Sequence, residues 1–208
     1  MTAPQRLTDR KREAIIQAAI AEFRANGFDI TSMDKIAATA GVSKRTVYNH
    51  FPSKEELFAE ILHQLWASTV AQLEVCYSSD RPLREQLRGL LEAKMKMMSD
   101  NNFLDLARVA IAATIYSPER AQDMVTRLSQ REEGFTQWVR AAQEDGRLSG
   151  NDPAFAAHQI QSLLKAFAFW PQITLSQPTL DAATQASVIE SAIDLFLAGY
   201  EIKPSTQP

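Results

Sequence analysis

Apolar residues recur along this chain at helical spacing, and no segment alternates with a period of two. Ile15, Ile16, Ala19, Ile20 and Phe23 share one face of a first helix, which Asn26-Gly27 ends. A short second helix is predicted from Thr31 or Ser32 to Thr39, stopping at Gly41. Ser43 caps a third, Lys44 to His50, and Pro52 stops it. Ser53-Lys54-Glu55-Glu56 is a capping box opening a long fourth helix, striped by Leu57, Ile61, Leu62, Leu65, Trp66, Thr69 and Leu73.

Beyond residues 78–82 the helices lengthen. Leu83 to Met98 marks a fifth and Phe103 to Ile115 a sixth. Ser117-Pro118-Glu119 reads as cap, first-turn proline and acidic first turn of a seventh, reaching about Glu144. Asp152-Pro153 repeats that start for an eighth, ending at Trp170-Pro171. A ninth opens at Thr179 or Asp181 and carries Ile189, Ala192, Ile193, Phe196, Leu197 and Tyr200 on one face. The tail, 203–208, is expected to fray. The expectation is an all-α protein of about nine helices. It divides near residue 54 into a head of short helices (1–54) and a body of long ones (55–208).

Composition narrows the chemistry. Seven glycines in 208 residues argue against sandwiches, barrels and glycine-rich phosphate loops. One cysteine, Cys76, excludes an intramolecular disulfide and a cysteine-only zinc site. With three histidines, no metal site is expected. No cofactor is expected either, and neither a nucleophile–base set nor a Glu-x-x-His pair supports an all-α enzyme. No leader pattern and no apolar run of about 18 residues is present, so the expectation is a cytoplasmic protein without membrane contact. The net charge of −3 conceals an asymmetry. Residues 1–54 hold nine Lys/Arg against five Asp/Glu, a net of +4. Residues 55–208 hold 13 against 20, a net of −7. A basic head on an acidic body suggests that the head alone meets a polyanion.

Residues 32–51 sharpen this. Two short helices flank the turn Ala40-Gly41-Val42-Ser43. Gly41 supplies a positive φ, Ala37 permits close approach, and Ile36, Ala40, Val42, Val47 and Phe51 fix the crossing. This is a helix-turn-helix pattern whose recognition helix carries Lys44, Arg45, Thr46, Tyr48, Asn49 and His50, groups suited to phosphates and base edges.

The run Thr31-Ser32-Met33-Asp34-Lys35-Ile36-Ala37, then Ala40-Gly41-Val42-Ser43-Lys44-Arg45-Thr46-Val47-Tyr48-Asn49-His50-Phe51-Pro52-Ser53-Lys54-Glu55-Glu56-Leu57, resembles the TetR family of bacterial transcriptional regulators. The likeness spans about residues 8–57. Further on, Gly146-Arg147-Leu148, Asp152-Pro153 with Ala156-Ala157, and Ile193 to Tyr200 resemble the AefR-like branch. The resemblance implies a three-helix DNA-binding head and a larger helical domain for ligand binding and dimerisation. It implies phosphate contacts at Thr31, Ser32, Tyr48, His50 and Lys54, backbone or base contacts at Lys44 and Thr46, base reading at Arg45, and a less defined role for Asn49. Ser43 completes this DNA-binding set as the cap of the recognition helix. Arg6, Arg10 and Lys11 either reach the adjacent groove or form a solvated charged face.

Trp66, Met95, Phe103, Trp138 and Phe167 are the candidate lining of a pocket for a small hydrophobic effector, or else ordinary core. Ile189, Ile193, Phe196, Leu197 and Tyr200 form a last-helix stripe expected to be exposed and covered by a second copy, giving a homodimer on a palindromic DNA operator. The function expected is a ligand-responsive repressor. The alternatives are an effector-independent helical DNA-associated protein and, more remotely, an all-α enzyme.

Overall fold

A computed structural model describes residues 3–70, 76–115, 117–122, 134–150 and 152–202, with side chains from residue 7 onward and not for 66–70. The elements are α1 (Ala3–Asn26), α2 (Met33–Thr39), α3 (Lys44–His50), α4 (Lys54–Val70), α5 (Leu83–Met98), α6 (Asn101–Ile115), α7 (Gly134–Glu144), α8 (Pro153–Ala168), α9 (Trp170–Thr174) and α10 (Ala182–Tyr200). Residues 118–122 are also helical. Among the described residues no strand occurs; a lone antiparallel bridge joins Leu148 to Glu201. The all-α expectation holds. The predicted seventh helix is met at both ends, and its middle, 123–133, lies outside the described residues, as does the tail 203–208.

Two compact units divide the chain. The first comprises residues 1–67 and 105–128. Its core joins Ile15, Ile16, Ile20 and Phe23 of α1 to Ile36 of α2, Val47 of α3, and Leu57, Phe58 and Ile61 of α4. Leu106, Val109, Ala110 and Ala113 of α6 belong to the same cluster. Phe23, Phe28 and Phe58 form an aromatic triangle, with centroids 5.0–6.3 Å apart. The compact unit therefore takes in most of α4 and part of α6. Residue 54 is the first residue of α4, just after its cap Ser53, rather than the edge of the unit, because α4 and α6 supply apolar residues that the short α2 and α3 cannot supply alone.

The second unit comprises residues 68–104 and 129–208. Here α10 packs on α5 and α8, and α7 on α8. Asp152 and Asp181 cap α8 and α10, accepting from Ala154 N at 2.9 Å and Thr184 N at 2.8 Å. The predicted single helix through Trp170-Pro171 is broken at Phe169. Pro171 has no N–H to give the Phe167 carbonyl and its ring would crowd it. The Gln172 side chain donates to that carbonyl instead, at 3.2 Å.

Candidate nucleic-acid interface

α1 closes at Gly27 with φ +83°, and the chain turns into α2. Ser32 is the N-cap of α2 and accepts from Lys35 N at 3.3 Å. Met33, Ile36 and Ala37 bury the inner face of α2. The turn to α3 runs through Gly41 at φ +65°, a conformation that would strain any residue bearing a Cβ. Ser43 caps α3, accepting from Thr46 N at 3.2 Å, and its hydroxyl lies 2.8 Å from Thr46 Oγ1. Val47 alone on α3 is fully buried. A seven-residue helix pinned by one valine turns its remaining surface to water. Lys44, Arg45, Tyr48 and Asn49 are exposed, with Thr46 and His50 half-buried. Arg45 forms no ion pair among the described residues. Arg10 and Lys11 are exposed on α1, while the Arg6 side chain lies outside the described residues.

Two predicted phosphate contacts are structural instead. Thr31 is 2% exposed. Its hydroxyl donates to the Gly27 carbonyl at 2.8 Å and lies 3.2 Å from that of Glu22, tying the end of α1 to the start of α2. Lys54 turns inward. Its ammonium donates to the carbonyls of Phe28, Thr31 and Asp29 at 2.7, 3.0 and 3.1 Å, and sits 4.5 Å from the centre of the Phe28 ring. An ammonium has three protons to give, and three carbonyls of the α1–α2 loop take them. Lys54 therefore shapes the loop that carries Ser32 and is not free to meet a phosphate.

Several residues of the head gave no sequence signal. Glu22 accepts from Thr39 Oγ1 at 2.6 Å and Asn26 Nδ2 at 2.9 Å, and pairs with Lys35 at 3.2 Å, so one carboxylate joins α1 to both ends of α2. Foremost through the Thr39 hydroxyl, these bonds hold its pKa below the ordinary glutamate value. Arg12 pairs with Glu60 at 2.9 Å and lies 5.0 Å from the Phe51 ring. From the distant segment of the same unit, Arg120 covers the Phe28 ring at 4.2 Å and pairs with Asp29 at 3.1 Å. No spacing in the sequence connects residue 120 with residue 29, because only the packing of α6 brings them together.

The predicted pocket and dimer residues fare differently. Met95 and Trp138 are fully buried in the second unit, and Trp138 Nε1 donates to Gln86 at 3.2 Å. Phe103 is buried beside Phe169, their centroids 6.2 Å apart. Phe167 is 54% exposed, one α8 face away from that core. The Trp66 side chain lies outside the described residues. Two open grooves on this unit measure about 340 and 380 Å³, and Phe167 lines the second. The stripe Ile189, Ile193, Phe196 and Leu197 is buried, with Tyr200 half-buried. Helices α5 and α8 of the same chain already cover it, so the stripe does not require a partner. What α8 and α10 leave exposed is the adjacent face, with Phe155, Phe167 and Leu195. His158, Gln159, Ser162 and Leu195 line the 340 Å³ groove there.

Comparison with known proteins agrees with this architecture. Residues 15–61 match the bacterial regulatory proteins of the tetR family. Residues 85–202 match the C-terminal domain of AefR-like transcriptional repressors. The chain belongs to the TetR family of transcriptional regulators. A TetR family transcriptional regulator from Pseudomonas syringae pv. tomato str. DC3000 is 56% identical, with 93% of this chain and 98% of that one aligned and a TM-score of 0.84. The flavonoid-responsive regulator FrrA is 27% identical over 94% of this chain and all of its own, with a TM-score of 0.69. The HTH-type transcriptional regulator RutR of Escherichia coli strain K12 is 28% identical over 172 residues, 81% of this chain and 79% of its own. Helices α2 and α3 lie within the matched N-terminal segment, residues 15–61. The matched C-terminal segment, residues 85–202, begins in α5 and takes in α6 to α10.

Proposed function

We propose that two copies of this chain place their α3 helices in successive major grooves of a palindromic operator, repressing transcription until a small, largely apolar effector releases them. The cytoplasm is then the site of action. One observation supports the reading most. Ser43 and Val47 hold α3 by its start and inner face, leaving Arg45, Tyr48 and Asn49 directed to solvent on a rigid element. Arginine in that position suits bidentate contact with guanine. A helix this short buries too little for specific binding alone, and a two-fold pair doubles the contact and reads a palindrome. For the dimer, the exposed faces of α8 and α10 around Phe155 and Leu195 replace the buried stripe as the candidate surface. For the effector, the name of FrrA supports a planar, largely apolar molecule as the first class to try.

Selection of bound duplexes from a random pool tests the DNA reading directly. The expected product is a palindrome with half-site centres about one helical turn apart or slightly more. Arg45→Ala should lose preference at one base pair per half-site, a change of about 1–3 kcal/mol in discrimination. An unaltered consensus in that variant removes Arg45 as a reader.

A further inference from the structure

Asp34 and Lys44 face each other across the helix-turn-helix. Asp34 stands in the first turn of α2 and Lys44 is the first residue of α3. The Lys44 ammonium lies 2.8 Å from one carboxylate oxygen of Asp34 and 3.0 Å from the other. Their side chains are 60% and 62% exposed, so the pair sits on the solvent side of the motif. The crossing of α2 and α3 does not depend on it, because Ile36 and Val47 bury the contact between these helices. Among the described residues its neighbour Arg45 has no such carboxylate. Of the two adjacent cations at the start of the recognition helix, one is free and one is already neutralised.

We propose that Asp34 is a built-in competitor of DNA phosphate for Lys44, weakening binding to every duplex alike and reducing its dependence on salt. The inference rests on the DNA-binding reading above. A lysine favours DNA binding chiefly because each phosphate it neutralises releases condensed counterions, giving a slope of about 0.9 in log K against log salt per contact. Lys44 contributes that release in full only when Asp34 lets go. An exposed pair is itself screened by salt, so the competition is strongest in dilute salt and fades as salt rises. The wild-type slope is therefore shallower than the number of cations on the face would give. Base reading by Arg45 is left untouched, and Asp34 sets how tightly the head holds DNA without altering which sequence it prefers.

The alternative role for Asp34 is simple repulsion of the phosphates by its own charge, and a double-mutant cycle separates the two. Wild type, Asp34→Asn, Lys44→Gln and the double variant are titrated against a fluorescein-labelled duplex of random sequence, over a series of salt concentrations, by anisotropy. Thermal melts followed by circular dichroism check that all four are folded. Asp34→Asn should bind about two- to fivefold more tightly at low salt, the range expected for an exposed ion pair. Its salt slope should steepen by about 0.9 per protomer. In the Lys44→Gln background the same change should give less than half that gain. An equal gain in both backgrounds assigns the effect to repulsion and overturns the competition, and so does an Asp34→Asn variant that binds like wild type. If none of the four binds the duplex even in dilute salt, the DNA-binding reading itself falls and takes this inference with it.

Discussion

Lys54 shows how one side chain can match a motif and serve another purpose. Its three bonds to the carbonyls of Phe28, Asp29 and Thr31 hold the loop on which Ser32 rides. Lys54→Ala should therefore lower the stability of the fold by about 1–3 kcal/mol, since hydrogen bonds to a charged group are the stronger kind. A lysine on phosphate would instead shallow the salt slope by about 1 with the stability unchanged. Denaturant melts beside DNA titrations distinguish these outcomes. Glu22 carries a pH dependence of known sign. Its pKa is lowered in the folded chain, foremost by the Thr39 hydroxyl. Its stabilisation is thus fully present above the unfolded glutamate value of about 4.3 and is lost as pH falls through the lower folded value. Denaturation midpoints measured down this acid window should fall for wild type. They should fall less for Glu22→Gln, which has no charge to lose there. A residual slope should remain, because Glu190 and Asp181 are lowered too.

At the scale of the element, α10 illustrates how one helix divides its labour between faces. Ile189, Ile193 and Leu197 lie at helical spacing and are buried. Leu195, two residues from Leu197, is 60% exposed. A charge at either position therefore has a different consequence. Leu197→Glu places an unpaired carboxylate in the core and should destabilise the fold by about 3 kcal/mol or more. Leu195→Glu should leave the thermal melt within about 0.5 kcal/mol of wild type while shifting sedimentation toward the monomer. A folded Leu195→Glu variant that still sediments as a dimer moves the two-fold surface elsewhere. In the head, the division of labour is the same on a smaller scale. The one buried residue of α3, Val47, anchors it, and the exposed positions on either side face solvent.

For the whole molecule, the proposed release by effector carries a thermodynamic obligation. If effector binding weakens operator binding, operator binding must weaken effector binding by the same factor. The coupling expected is about 1–3 kcal/mol, a factor of roughly 5–150. Tryptophan fluorescence can follow a flavonoid titration with and without the selected duplex. Equal affinities in the two titrations would remove the effector from the control of DNA binding, even where it binds the C-terminal domain. Two described helices join the units covalently: α4, from Lys54 in the first unit to Val70 in the second, and α6, from Asn101 in the second to Ile115 in the first.

The sequence by itself determined the helical class, the caps at Ser43 and Asp152, and the helix-turn-helix with Gly41 at its turn, and it narrowed two further caps to Thr31 or Ser32 and to Thr179 or Asp181, of which the structure takes Ser32 and Asp181. These are local matters: periodicity, a side-chain oxygen reaching an N–H three residues on, and a φ that only glycine takes without strain. Tertiary structure decided the rest. A stripe of apolar residues states that a face is buried but not by what, and α10 found its cover in α5 and α8 rather than in a second chain. A lysine or threonine at a phosphate-binding position states a donor but not its acceptor, and the backbone carbonyls of the α1–α2 loop claimed Lys54 and Thr31. Phe167 and Trp138 share a residue class and a helical rhythm, yet one is exposed and the other fully buried. Which neighbour a side chain meets depends on contacts distant in sequence, and a one-dimensional pattern does not carry them.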